Sequence, residues 1–270
     1  MLKSLIKILL FTGLGATLYS CEEVIDIDLN SEDPKLVIEG SLKADEERFE
    51  VKISETTDFF DAETKRRIEG AAVVLYDDTG NEWMLSGEGD GLYATDIEPR
   101  EKTSYRLSVT IDGTEYLAES YLPEAVAILG LETEYQTGGG PIEAGYQMFV
   151  RFQDDASVEN YYRLKISVDG VFQNSGDDLR VTDDRLFNGG RARVPVFQAV
   201  FQEGETVEVE LVHFDNASFE YFNSLMDIVA NQEGPNGSTA APGNPISNWS
   251  NGALGYFSAS SSGRQTIVVQ

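Results

Sequence analysis

The stretch YRLSVTIDGTEYLAESY, from Tyr105 to Tyr121, decides the fold class. Tyr105, Leu107 and Val109 alternate with Arg106, Ser108 and Thr110, which is the two-residue period of a half-buried strand. Asp112-Gly113 then supplies two residues that accept positive φ, as a two-residue hairpin turn demands, and a second strand follows over 115–121. Working outward, strand patterns recur at 36–40, 49–53, 71–76, 82–85 and 91–94. Turn signals separate them, notably Asp77-Asp78-Thr79-Gly80-Asn81 and Gly87-Glu88-Gly89-Asp90-Gly91. Short strands with regular turns predict an antiparallel β-sandwich over residues 35–124.

Pro123 and Thr137-Gly138-Gly139-Gly140-Pro141 mark a change of register, which sets a boundary near residue 125. Further strands are expected at 146–152, 160–168, 192–201 and 205–214, with Leu254–Ala259 and Thr266–Val269 after them. Residues 125–270 therefore read as a second β-sandwich or partial barrel. One helix interrupts it near 216–232, because Phe219, Phe222, Leu225 or Met226, and Val229 recur at helical spacing. Asp215 or Asn216 caps its start and Gly234-Pro235 stops it. The fold class expected is mostly β, with an immunoglobulin-like sandwich, a second β-sandwich or partial barrel, and one amphipathic helix.

The chain of 270 residues carries 47 acids against 20 bases, a formal charge of −27. Such a surface repels phosphate backbones and argues against nucleic-acid binding. One cysteine and one histidine exclude a disulfide framework, a multi-cysteine zinc site and a His-rich metal centre. Lys3 and Lys7 precede an apolar run from Ile8 to Leu18, the pattern of a secretory signal over residues 1–20. The run is too short for a comfortable bilayer span of about 20 residues. Removing it deletes two lysines and no acids, so −27 becomes −29.

Leu18-Tyr19-Ser20-Cys21 resembles the bacterial lipobox, in which the cysteine sulfur takes a diacylglycerol as a thioether. Cys21 is therefore the expected lipidation site and residues 21–34 an acidic tether. Two or more acyl chains would give stable attachment to a membrane. Gly70–Leu75, Gly91-Leu92-Tyr93 and Tyr105–Val109 resemble immunoglobulin-like extracytoplasmic modules. With Cys21–Ile27, Leu36–Gly40, Asn160–Leu164 and the segment from Asn244-Pro245 to Tyr256-Phe257, the order resembles the Bacteroidota lipoprotein family catalogued as domain of unknown function 4249. The resemblance implies an outer-membrane protein on the periplasmic or cell-surface face that assists a TonB-dependent transporter or binds its cargo. It supplies no catalytic residues.

The search for chemistry is correspondingly lean. His213 continues the Val207, Val209, Leu211 face of a strand and reads as structural, and no serine stands in a nucleophile elbow. The chain is expected not to be an enzyme. A surface glycan hydrolase using two distant carboxylates is the alternative from another class. Asp177, Asp178, Asp183 and Asp184 crowd one loop, so calcium is the metal these oxygen ligands would hold, in a calcium-dependent adhesin or spacer. No other cofactor is expected. Trp249, Tyr256 and Phe257, after a loop rich in Gly and Pro, are the aromatic candidates for ligand contact, with core packing as the alternative.

Overall fold

Strand β1 (Leu36–Lys43) opens the structure, a computed structural model that describes residues 34–57, 66–139, 143–175, 179–196, 200–233 and 243–270. It is followed by β2 (Arg48–Glu55), β3 (Ala72–Asp77), β4 (Glu82–Gly89), β5 (Leu92–Asp96), β6 (Thr103–Ile111) and β7 (Thr114–Leu122). The hairpin at Asp112-Gly113 forms, with φ of 49° and 81°, and pairs Ile111 with Thr114. Then come β8 (Ile128–Gln136), β9 (Gly145–Gln153), β10 (Tyr161–Val168), β11 (Val171–Phe172), β12 (Arg180–Asp183), β13 (Arg191–Pro195) and β14 (Thr206–Phe214). Helix α1 (Asn216–Glu233) and the long strand β15 (Leu254–Val268) complete the fold. It is mostly β, with sandwich-like sheets and, among the described residues, one α-helix.

Two hydrophobic clusters form because the alternating strands turn their apolar faces inward. Ile38, Val51, Val73, Leu75, Leu107 and Val109 fill a first lobe. Val150, Tyr162, Ile166, Val207, Val209 and Leu211 fill a second. The lobes share β15. Its first half runs parallel to β1, pairing Val37 with Leu254 through Lys43 with Ser260. Its second half runs antiparallel to β14, pairing Phe214 with Ser260 through Thr206 with Val268. The C-terminal segment thus sends Trp249, Phe257 and Ala259 into the first core and carries the sheet on into the second lobe.

Helix α1 begins where the sequence places it, capped by Asp215. Its Oδ1 accepts the Ser218 amide at 2.9 Å and its Oδ2 accepts the Tyr121 amide at 2.9 Å. The aromatic stripe packs on the sheet: Phe219 against Tyr161, Phe222 against Phe214 and Tyr256, and Tyr221 against Tyr256. Ser218 donates to or accepts from Ser258 at 2.8 Å, a contact only two small side chains allow.

The sequence reading passed over four strand segments, one of them the two-residue β11. Residues 260–265, with serines and Gly263, look like a loop but pair with β14 along their whole length, and only Ser260 also pairs with β1. A Cβ on Gly263 would lie 2.4 Å from the Val126 carbonyl oxygen, so side chains are small there because neighbouring backbone is close. Strand β8 is an edge strand with a bulge between Ile128 and Gly130, and its mixed exposure erases the alternation. Strand β12 is fixed by pairing with β10 rather than by its own pattern.

The Asp77 turn shows why the β3–β4 connection holds. The Asp77 side chain is 0% exposed and ion-paired with Arg100 at 2.8 Å. Its oxygens also accept from Thr79 N, Thr79 Oγ1, Asn81 N and Asn81 Nδ2. Burial opposes ionisation, but the hydrogen bonds from Asn81, Thr79 and Arg100 outweigh it and hold the carboxyl well below the usual carboxylate range. Asp77→Ala is expected to cost about 2–3 kcal/mol at neutral pH. Because the folded pKa is depressed, that stabilisation is whole above the unfolded value of about 4 and fades as pH falls from there toward the folded value. Urea unfolding of both proteins at pH 7 and pH 3 checks this: the gap should narrow in acid, and a gap that widens contradicts it.

Candidate functional site

Where the lobes meet, two loops of the second lobe are locked together by buried polar groups. Asp154 accepts the Tyr162 hydroxyl at 2.7 Å and the Gly189 amide at 2.8 Å. Asp184 accepts the Asn160 amide at 2.9 Å, and Asn160 Nδ2 donates to the carbonyls of Asp155 and Val158. All three of Asp154, Asn160 and Asp184 are buried. A satisfied network of this kind rigidifies the loops it joins. Burial, reinforced by Asp154, pushes the Tyr162 hydroxyl far above its ordinary range and keeps it a donor.

The first of these loops, from Gln153 to Asn160, forms one wall of a cleft of about 550 Å³ at the seam, and the second loop braces it from behind. Lys102, Tyr121 and Glu124 line it from the first lobe, and Asp155, Tyr161 and His213 from the second. Tyr121 ties the two sides through the hydrogen bond its backbone N–H donates to Asp215 Oδ2. Seams between lobes are common sites for small ligands.

His213 sits in this wall, 7% exposed, with its ring stacked on Tyr162 at 5.0 Å. Its Nδ1 lies 2.8 Å from the Glu124 carbonyl oxygen. A carbonyl accepts only, so Nδ1 carries the hydrogen and Nε2 is left as the acceptor. Burial depresses the imidazole pKa and outweighs the carbonyl and the neighbouring acids, so the ring is neutral at pH 7. Around it the carboxylates already have partners. Glu124 pairs with Lys102 at 2.6 Å, Asp155 accepts the Ser157 amide, and Glu159 accepts the Tyr161 hydroxyl. Burial, then that bond to Glu159, pushes Tyr161 up to about 12. The result is an acidic, acceptor-rich recess with a neutral imidazole, suited to a solute bearing hydroxyl or amine hydrogens.

The residues singled out in the sequence lie elsewhere. Trp249 is a core residue, 6% exposed, and its Nε1 donates to the Ile38 carbonyl at 3.0 Å. Phe257 is buried against Phe49. Both are interior because the segment carrying them completes the first lobe. Tyr256 is half-buried on the other side of β15, against Tyr221 and Phe222, and borders a shallow groove with Lys43 and Arg48. Trp249, Tyr256 and Phe257 are therefore not gathered into one surface. Asp183 pairs with Arg185 at 2.7 Å and Asp184 belongs to the loop brace. Asp177, Asp178 and Cys21 lie outside the described residues. Among the described residues, no group of three or more His, Cys, Asp or Glu is placed to hold a metal ion, and no helix is long and apolar enough to cross a membrane.

Lys102, Tyr121, Asp155 and Tyr161 escaped the sequence reading because the cleft exists only where two lobes touch. The one signal was the uniqueness of His213.

A family model described as Domain of unknown function (DUF4249) matches residues 22–266. No curated protein matches the chain. Among solved structures, a two fibronectin type-III domain segment from chicken tenascin is similar at 12% identity with a TM-score of 0.22, covering 67% of this chain and 91% of that one. So low a score carries no argument about fold or function.

Proposed function

The chain belongs to the DUF4249 family, and on that premise we propose that it is a lipid-anchored Bacteroidota outer-membrane protein that assists a TonB-dependent transporter by holding its cargo. In this reading residues 1–20 are a signal peptide, Cys21 carries the lipid, and the first lobe is an immunoglobulin-like module. The family match begins at Glu22, the residue after Cys21, which supports maturation at that point. The observation that carries the binding role is the interlobe cleft, where a neutral His213 and the braced 153–160 loop form a rigid recess. Its chemistry favours binding and release of a hydroxylated or amine-bearing solute. Chemical turnover is not part of the proposal.

Fractionation and affinity capture from detergent-solubilised envelopes test the reading. The wild type is expected in the outer membrane together with a transporter, and Cys21→Ser in the soluble fraction. A Cys21→Ser protein that stays with membranes, or a wild type that recovers no transporter, sinks it. Tyr121→Ala removes a 42%-exposed side chain from the cleft wall. It should reduce transporter or cargo recovery about tenfold, the scale of one interface aromatic.

A further inference from the structure

A second cavity, of about 520 Å³, lies where β10, β12, β13 and α1 meet. Leu164, Val181, Val194, Pro195 and Met226 make its walls apolar. It shares no lining residue with the interlobe cleft, and its volume falls in the range of small-molecule sites.

One charged side chain, Arg180, lines it. In the antiparallel pairing of β12 with β10, Arg180 stands directly opposite Leu164. Opposed residues share a face of the sheet, so Arg180 lies on the same side as Leu164, a member of the second core. The Arg180 Nε is buried and has no hydrogen-bond partner. Among the described residues no carboxylate pairs with this guanidinium, although the chain holds 47 acids. The acids that follow it are committed, Asp183 to Arg185 and Asp184 to Asn160, while Asp177 and Asp178 before it lie outside the described residues. Arg180 is half-buried as a residue, but a buried N–H without an acceptor is costly, and native proteins rarely leave one without a reason.

The apolar walls and the unused donor point to one ligand chemistry. Aliphatic walls exclude a sugar or a multiply charged solute, while a guanidinium presents paired N–H groups that match a carboxylate. We propose that this cavity binds an aliphatic carboxylate, its chain lying among Leu164, Val194 and Met226 and its carboxylate accepting hydrogen bonds from Arg180. The site goes beyond the transporter-assisting role and stands whether or not Cys21 is lipidated.

Isothermal titration of the full chain carrying Cys21→Ser, purified without detergent, tests this with decanoate, decanol and acetate as probes. Decanoate is expected to bind saturably at one site, at least ten times more tightly than decanol, with acetate too weak to detect. Arg180→Gln should weaken decanoate at least tenfold and leave decanol unchanged, with the circular dichroism melt reporting whether the variant folds. Met226→Trp fills the cavity without touching the cation and should abolish decanoate binding. Three results would overturn the proposal: no saturable decanoate binding, equal affinity for decanol, or wild-type decanoate affinity in folded Arg180→Gln or Met226→Trp.

Discussion

Trp249→Ala is expected to destabilise the chain by about 3–5 kcal/mol, the range for deleting a large buried aromatic. The indole fills part of the first core, and its Nε1 is bonded to the Ile38 carbonyl at 3.0 Å. Truncation leaves a cavity and removes an acceptor's partner together. Trp249→Phe separates the two effects, since it retains most of the apolar volume and should cost nearer 1 kcal/mol for the lost bond plus some packing. The position of Trp249 is set by its neighbour. Asn248 Nδ2 donates to the Phe257 and Glu119 carbonyls at 2.8 and 3.2 Å, and Asn248 Oδ1 accepts the Phe257 amide at 3.0 Å. These bonds pin the segment to β15 and β7 at once. Urea unfolding of the full chain measures the effect. If Trp249→Ala unfolds at the wild-type midpoint, the indole is not a core residue and its candidacy as a ligand contact returns.

How much of this was legible beforehand depended on the range of the interaction. The 105–121 hairpin was readable because its information is local: alternation sets the faces and Asp112-Gly113 sets the turn. The helix was readable for the same reason, through Asp215 and the aromatic spacing. What escaped were features written in distant residues. Ser260–Gly263 form strand because β14 on one side and close backbone around Val126 on the other define the space. Trp249 and Phe257 sit some 200 residues from Ile38 and Phe49, which they pack against, so aromatics beside a loop were indistinguishable from a surface patch. The interlobe cleft was invisible on the same grounds. His213 was read as a satisfied strand residue, and it is buried and bonded through Nδ1, yet it also lines the recess. Asp184 was legible only as a calcium candidate and Asp154 not at all, because sequence does not reveal that Asn160 donates to the one and Tyr162 and Gly189 to the other.

Gly255→Ala should be as damaging as the loss of Trp249, through the same carbonyl. Gly255 has φ of +87° and pairs with Ile38 in the parallel register of β1 and β15. A Cβ there would lie 2.2 Å from the Ile38 oxygen and 2.9 Å from the Ile38 carbon, distances no side-chain rotation relieves. Left-handed backbone alone costs a non-glycine residue about 1–2 kcal/mol. Moving β15 off β1 adds to this, because Phe257 and Ala259 leave the first core as the strand shifts, and about 3–5 kcal/mol in total is expected. Gly80→Ala provides the comparison: its φ is +94°, but nothing lies within 4 Å of the added Cβ, so it should lose about 1–2 kcal/mol for conformation alone. The difference between the two variants isolates the close approach of β15 to β1 from glycine's conformational freedom. Since β15 pairs with β1 and β14 in turn, the Gly255→Ala chain should unfold both lobes in one transition at lower urea. Equal midpoints for the two glycine variants would mean that the parallel pairing does not hold the lobes together.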